Sequence, residues 1–105
     1  MTPRTAQMLD DMIEEATVDC HDESESIVGL YTMLDENLAL PFRTEVLGVD
    51  VDVTGIDLMA GDQISAVCMN GPSKQRIGIL DLPLPTPPPT GAEWIDAYRR
   101  WAEGG

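Results

Sequence analysis

The chain has 105 residues, 43% of them hydrophobic, which suits one domain with a modest core and excludes a disordered tail. Nineteen acidic against six basic residues give a formal charge of -13, which disfavours nucleic acid and anionic membranes and favours cations or basic proteins as partners. No basic start precedes an apolar run, and no segment approaches the roughly 20 apolar residues of a membrane span. We therefore expect a soluble, cytoplasmic protein with a single domain over residues 1–105.

Two N-terminal helices are predicted. Thr2 and Pro3 suit the start of the first helix, which runs to about residue 18 with its apolar residues at helical spacing: Met8, Leu9, Met12, Ile13 and Ala16. Asp22 is the predicted N-cap of the second helix, with Glu25 as its capping partner, and Pro41 ends this helix. Its apolar face consists of Ile27, Tyr31, Leu34 and Leu38.

From Phe42 the apolar residues recur with the period of a strand. Residues 42–49 and 49–53 are predicted strands, with Gly48 as a bulge or corner between them. A turn at Gly61 and Asp62 precedes a strand over 63–69, and the pair Asn70 and Gly71 predicts a hairpin leading to a strand over 75–82. Short strands with tight turns are typical of a small barrel or a curved antiparallel sheet.

The last segment predicts a connector and a helix. Residues 83–91 read PLPTPPPTG, a surface spacer or, alternatively, a ligand for a proline-reading domain. Thr90 and Glu93 form a predicted capping box, and Trp94, Tyr98 and Trp101 form an aromatic stripe that belongs in the core. The fold class is therefore α+β: N-terminal helices, an antiparallel sheet of four to five strands, either SH3-like barrel or curved, and a C-terminal helix.

The stretch VDVDVTGID, residues 49–57, raises the question of a calcium loop. Asp50, Asp52, Thr54 and Gly55 match the first half of an EF-hand loop. The twelfth position is Gly61, however, which supplies no carboxylate. The valines alternate with the aspartates at the period of a half-buried strand. We therefore predict a strand with a solvated acidic face.

Catalytic patterns are weak. His21 is the only histidine and is adjacent to Cys20, and neighbouring residues in a chain rarely face each other. Cys20 and Cys68 form no CxxC motif, so they predict free, largely buried thiols and no zinc site. The sequence has no phosphate-binding glycine loop. We predict that the chain is not an enzyme.

Acidic residues are concentrated near the N-terminus. Residues 1–42 hold ten acids and Arg4 alone, whereas residues 43–105 hold nine acids and five bases. Four acids crowd the turn between the predicted helices, and two more lie near the end of the second helix, where the macrodipole disfavours negative charge: Asp19, Asp22, Glu23 and Glu25, then Asp35 and Glu36. A bound hard cation would relieve both problems. A solvated acidic face, serving solubility or salt adaptation, explains the same residues without an ion.

A resemblance bears on this choice. Residues 18–46 resemble the signature region of the small cyanobacterial-type calcium-binding proteins (CcbP-like). The matching residues are Val18-Asp19, Asp22-Glu23, Gly29-Leu30-Tyr31, Leu34-Asp35-Glu36, Leu38 and Pro41-Phe42. The chain departs from the family in having Leu30 where an aromatic residue is usual, and Asp50 and Asp52 in place of basic residues.

The resemblance implies a small, acidic, cytoplasmic protein that binds Ca²⁺ without EF-hands, as a calcium buffer or sensor. The metal site it implies consists of acids at matching positions, chiefly Asp35 and Glu36, then Asp19, Asp22 and Glu23. The alternative is an acidic protein-interaction module without metal, which docks on a basic protein partner or mimics nucleic acid.

Overall fold

A computed structural model describes residues 5–59 and 63–103 and confirms the predicted α+β class. Three helices and four strands follow one another as α1 (Ala6–Ala16), α2 (Glu23–Asn37), β1 (Phe42–Val46), β2 (Val49–Met59), β3 (Gln63–Asn70), β4 (Ser73–Gly78) and α3 (Glu93–Ala102). They form two compact units: a helical unit, Met1–Leu38 with Gly91–Gly105, and a sheet unit, Ala39–Thr90. That residues 1–105 make one functional domain stays a prediction.

Helix α1 begins at Ala6, because the hydroxyl of Thr5 caps it by accepting a hydrogen bond from the backbone N–H of Met8 at 3.1 Å. Thr2 and Pro3 lie outside the described residues, but the extended backbone of Thr5 shows that α1 begins later than predicted. The helix ends at Ala16, two residues earlier than predicted, and none of its side chains is fully buried.

Helix α2 begins as predicted. A carboxylate oxygen of Asp22 accepts from the Glu25 backbone N–H at 2.8 Å, and the Glu25 carboxylate accepts from the His21 backbone N–H at 3.0 Å. The helix ends at Asn37, because Leu38 is already extended, so it stops before Pro41. Its buried face consists of Ile27, Leu30, Leu34 and Leu38, whereas Tyr31, which was predicted on this face in place of Leu30, is half-buried.

Two glycines set the packing of the helical unit. Gly29 brings α2 so close to the end of α1 that a Cβ at this position would overlap the carbonyl oxygen of Ala16. Gly91 has a φ of +88° and lies against the backbone of Asn37 and Leu38. Both positions therefore accept only glycine without rearrangement.

Helix α3 differs from its prediction at the start. It begins at Glu93, and its N-cap is Ala92, which makes no side-chain capping bond, so the predicted Thr90–Glu93 capping box is wrong. The turn at Gly91 sets the start of the helix at Glu93, three residues after Thr90. The aromatic stripe is confirmed as core at Trp94 and Tyr98, and the Tyr98 ring stacks on the half-buried Trp101 ring at a centroid distance of 6.1 Å.

The strands form an antiparallel sheet in the order β1-β2-β3-β4. The sheet is open, because β1 and β4 are its edge strands within the described residues, so a closed barrel is not formed there. Gly48 is part of a two-residue turn with Leu47, and both have positive φ, while the bulge lies further on, between Val53 and Gly55. The predicted turn at residues 61–62 lies outside the described residues.

The second hairpin is close to its prediction. Asn70 pairs with Ser73 across a turn of Gly71 and Pro72, so β4 starts two residues earlier than predicted and ends at Gly78. One face of the sheet unit is apolar, with buried Val51, Val53, Ile56, Ile64, Ala66 and Cys68. Ile79 and Leu82, which were predicted within the last strand, are buried in the irregular segment that follows it.

Candidate functional site

Most of the negative charge lies on the helical unit. Its described residues include 13 acids and two basic residues, Arg99 and Arg100, whereas those of the sheet unit include five acids and three basic residues. The thirteen acids are Asp10, Asp11, Glu14, Glu15, Asp19, Asp22, Glu23, Glu25, Asp35, Glu36, Glu93, Asp96 and Glu103. The prediction of an acidic N-terminal part therefore corresponds to a folded helical unit.

Residues 49–57 all lie within β2, as predicted. Val51 and Val53 are buried, while Asp50 is exposed and Asp52 half-buried. Asp52 pairs with Arg43 across the sheet at 3.1 Å, and the hydrogen bond to Asp52, with its charge, raises the pKa of Arg43. These aspartates thus form the outer face of a strand, and one of them already has a cationic partner.

Asp35 and Glu36 are exposed in the last turn of α2, which has no basic residue. Neither carboxylate forms an ion pair within the described part of the chain. The chain leaves the helix after Leu38, whose N–H bonds to the Leu34 carbonyl at 2.9 Å, while the next N–H, of Ala39, bonds to Thr90. The helix therefore gives the Asp35 carbonyl no partner at Ala39, and two carboxylates stand beside the negative end of the helix dipole.

Asp19, Asp22 and Glu23 lie at the other end of α2. All three are exposed: Asp19 in the turn after α1, Asp22 at the N-cap, and Glu23 in the first helical turn. Negative charge is favourable here, because the N-terminus of a helix carries partial positive charge. Twelve residues separate Glu23 from Asp35, which is about 18 Å along a helix. A single ion cannot bind to both groups.

The described residues contain no preformed metal cage. No group of three or more histidine, cysteine, aspartate or glutamate side chains is placed to hold a metal ion within residues 5–59 and 63–103. Calcium takes six to eight oxygen ligands and accepts carbonyls and water beside carboxylates. An ion at either end of α2 would therefore depend on movement of exposed side chains and on bound water.

An ion pair between α1 and α3 was not predicted. Arg100 donates two hydrogen bonds to the Asp10 carboxylate, from Nε at 2.7 Å and from an Nη at 3.2 Å. This bonding, with the positive charge of Arg100, holds the pKa of Asp10 below its usual value and raises that of Arg100. Ninety residues separate the partners, so helical periodicity gives no signal for the pair.

Replacing Asp10 with asparagine is expected to lower Tm at pH 7, and the loss should vanish in acid. Because the pKa of Asp10 is depressed in the fold, its contribution is present above the unfolded pKa of about 3.9 and is lost as pH falls through the folded pKa. Circular-dichroism melts of both proteins between pH 7 and low pH measure this. Asp11→Asn is the control, because Asp11 accepts a hydrogen bond from the neutral Gln7 side chain at 2.8 Å, and an asparagine oxygen can accept the same bond. A Tm loss of equal size at every pH would contradict the conclusion that the ion pair with Arg100 stabilises the fold through the ionised Asp10 carboxylate.

An open groove lies between α1 and α3. Met8, Met12, Glu93 and Trp94 line it, and its volume is about 510 Å³. Met8 is 52% exposed, although it belongs to the apolar face of α1. The sequence predicted this apolar face but not that it would remain partly uncovered.

The remaining potentially reactive side chains are two cysteines and one histidine. Both cysteines are free, as predicted: Cys20 is half-buried with its thiol 3.2 Å from the Glu25 carbonyl, and Cys68 is buried, which raises its thiol pKa. His21 is exposed. Of the helices described, none has the length and apolar character needed to cross a membrane.

Comparisons of the chain with protein-family models, with curated proteins and with solved structures find no match. The resemblance of residues 18–46 to the CcbP-like proteins, and the non-enzymatic character of the chain, stay predictions.

Proposed function

We propose that the protein binds calcium through exposed carboxylates of the helical unit and acts as a cytoplasmic calcium buffer. The observation that carries this proposal is the charge of that unit: 13 acids against two arginines in its described part, one of the arginines already paired with Asp10. A divalent cation bound there relieves repulsion that the protein's own basic residues leave in place. The resemblance of residues 18–46 to calcium-binding proteins supports the same function, and two free cysteines suit a reducing compartment.

The C-terminal end of α2 is the preferred position for the ion. Asp35 and Glu36 place two adjacent carboxylates beside the negative end of a helix dipole. A cation bound there would reduce both the repulsion between the carboxylates and their repulsion by the dipole. Asp22 and Glu23, by contrast, are already favourably placed at a helix N-terminus. Two exposed carboxylates supply only part of the six to eight oxygen ligands that calcium takes, so binding here is expected to be weak and partly hydrated, which is suitable for a buffer that exchanges its ion quickly.

Calcium is expected to raise the Tm of the chelator-treated protein. An ion that binds only the folded state stabilises it by about 2.7 kcal/mol at a hundredfold excess over Kd, which corresponds to about 10 °C or more for a chain of this size. Thermal melts at low ionic strength, with calcium and with chelator, measure the shift, and calorimetric titration gives the stoichiometry. An unchanged melting curve at saturating calcium would refute the proposal.

The double variant Asp35→Asn with Glu36→Gln tests the position. Calcium affinity should fall by roughly tenfold or more, because two ligands are lost, while the calcium-free protein should melt slightly higher, because charge leaves the unfavourable end of a helix. The matched control is Asp50→Asn with Asp52→Asn, which removes two acids from β2 and should leave affinity nearly intact. Equal affinities of wild type and the first variant would move the site to Asp19, Asp22 and Glu23.

The second candidate function is a metal-free acidic module that docks on a basic protein. The observation that favours it is the distribution of the acids, which lie at both ends of α2 and along α1 without forming a three-ligand group in the described chain. Magnesium separates the two functions. A calcium site of flexible carboxylates should prefer calcium over magnesium, whereas a docking face should respond to ionic strength alone.

A further inference from the structure

The groove between α1 and α3 has the character of a binding surface. Two methionines and the buried Trp94 supply its apolar lining, and Glu93 is the acidic residue among the lining residues. Methionine is flexible and polarizable, so a surface built on it adapts to different apolar side chains. None of the side chains of α1 is buried, although its apolar residues lie on one side of the helix, so α1 buries less of this face than such a helix ordinarily does.

Charge specifies the chemistry of the occupant. Asp11 and Glu15 each lie three residues beyond a lining methionine on α1, and both are exposed. Residues three apart are neighbours on a helix surface, so these carboxylates border the groove. Residues 5–38 contain ten acids and no basic residue. An apolar groove with an acidic border is complementary to a ligand with an apolar stripe and flanking lysines or arginines.

We propose that the groove receives an amphipathic helix with a basic polar face from another protein, one of whose apolar side chains inserts between Met8, Met12 and Trp94. This inference deepens the docking function proposed above and is independent of calcium. Helix-in-groove recognition combines an apolar anchor, which gives affinity, with charge complementarity, which gives orientation and a fast association rate.

The probe is a synthetic leucine-lysine peptide with its leucines at helical spacing. Two comparison peptides are used, one of the same composition with the leucines scattered around the helix, and one with glutamate in place of lysine. Tryptophan fluorescence titrations are carried out in chelator. We expect binding of the first peptide, roughly tenfold weaker binding of the scattered peptide because it loses one apolar anchor, and no binding of the glutamate peptide.

Met8→Asp is the decisive variant. It adds negative charge, which by electrostatics alone would strengthen binding of a basic peptide, so a roughly tenfold loss would show that the apolar contact matters. An acid in the first turn also suits α1, and circular dichroism verifies the fold. Leu47→Asp is the matched control: Leu47 is 98% exposed in a hairpin turn of the sheet unit, and this variant should bind like wild type.

Three results would overturn the proposal. In the first, both basic peptides bind wild type and Met8→Asp equally well, and salt weakens this binding. The protein would then dock basic partners through charge alone, and the groove would have no part in it. No binding of any peptide would remove the docking function as well, with calcium binding tested separately. A wild-type dimer that dissociates in Met8→Asp, measured by light scattering, would assign the groove to a second copy of this chain.

Discussion

Replacing Gly91 with alanine is expected to destabilise the protein by about 3 to 5 kcal/mol, a large part of the stability of a typical small domain. Two effects add. A φ of +88° strains any residue with a Cβ by about 1 to 2 kcal/mol. The new Cβ would also overlap the backbone of Asn37 and come within 2.7 Å of the Leu38 Cα, and backbone atoms cannot move aside as a flexible side chain can.

Urea denaturation of wild type and Gly91→Ala measures the difference in the free energy of unfolding. Gly48→Ala is a matched control, because Gly48 has a φ of +80° but no atom within 4 Å of the added Cβ, so it should lose only the strain contribution. The difference between the two variants isolates the overlap with Asn37 and Leu38. If both variants lose the same stability, the backbone of Asn37 and Leu38 does not approach Gly91 as closely in solution as the structure describes.

Gly29→Ala is expected to destabilise the protein by about 2 kcal/mol or more, even though alanine is the better helix former by about 1 kcal/mol. The added Cβ would overlap the carbonyl oxygen of Ala16 and lie 3.5 Å from the Cys20 thiol. Helices α1 and α2 would have to move apart to accept it. Loss of their contact should lower the urea midpoint and raise the exposure of Cys20.

The reaction rate of Cys20 with a thiol reagent reports this separation directly, and Cys68 serves as the internal reference because it is buried in the sheet unit. Gly55→Ala is the control, since nothing lies within 4 Å of its added Cβ and its φ is not positive. A stabilised Gly29→Ala variant would mean that helix propensity outweighs the overlap and that α1 and α2 are further apart than described.

The elements that the sequence predicts well are those with a strong local signal. The spacing of Ile27, Leu34 and Leu38 predicts most of the buried face of α2, although Tyr31 was predicted there and Leu30 is buried instead. The Asp22 and Glu25 pair predicts the start of this helix, because it too depends on residues within one helical turn. The Thr90 and Glu93 pair has the same local pattern and fails. There the backbone turn at Gly91, fixed by contact with Asn37, determines where α3 begins.

In the candidate site too, features with a local sequence pattern are predicted and features that depend on distant packing are not. The sequence predicts that Asp50 and Asp52 lie on a strand, since alternation with valine is a local pattern, and the structure confirms it. The ion pair of Asp10 with Arg100 and the groove between α1 and α3 depend on how distant segments pack, which no short pattern encodes. Similarly, sequence places Asp35 and Glu36 near a helix end, but whether they bind an ion depends on side-chain movement.

The two edge strands of the open sheet have a consequence for behaviour at high concentration. Binding of divalent cations would reduce the mutual repulsion between molecules, which is the usual prelude to precipitation of an acidic protein. Molecules that come close together can aggregate by pairing their unpaired strand edges, and charged side chains on those edges oppose this pairing. Both edges carry exposed charges, Arg43 and Glu45 on β1 and Lys74 and Arg76 on β4. These charges are therefore expected to oppose edge-to-edge assembly even if cations neutralise the acidic helices.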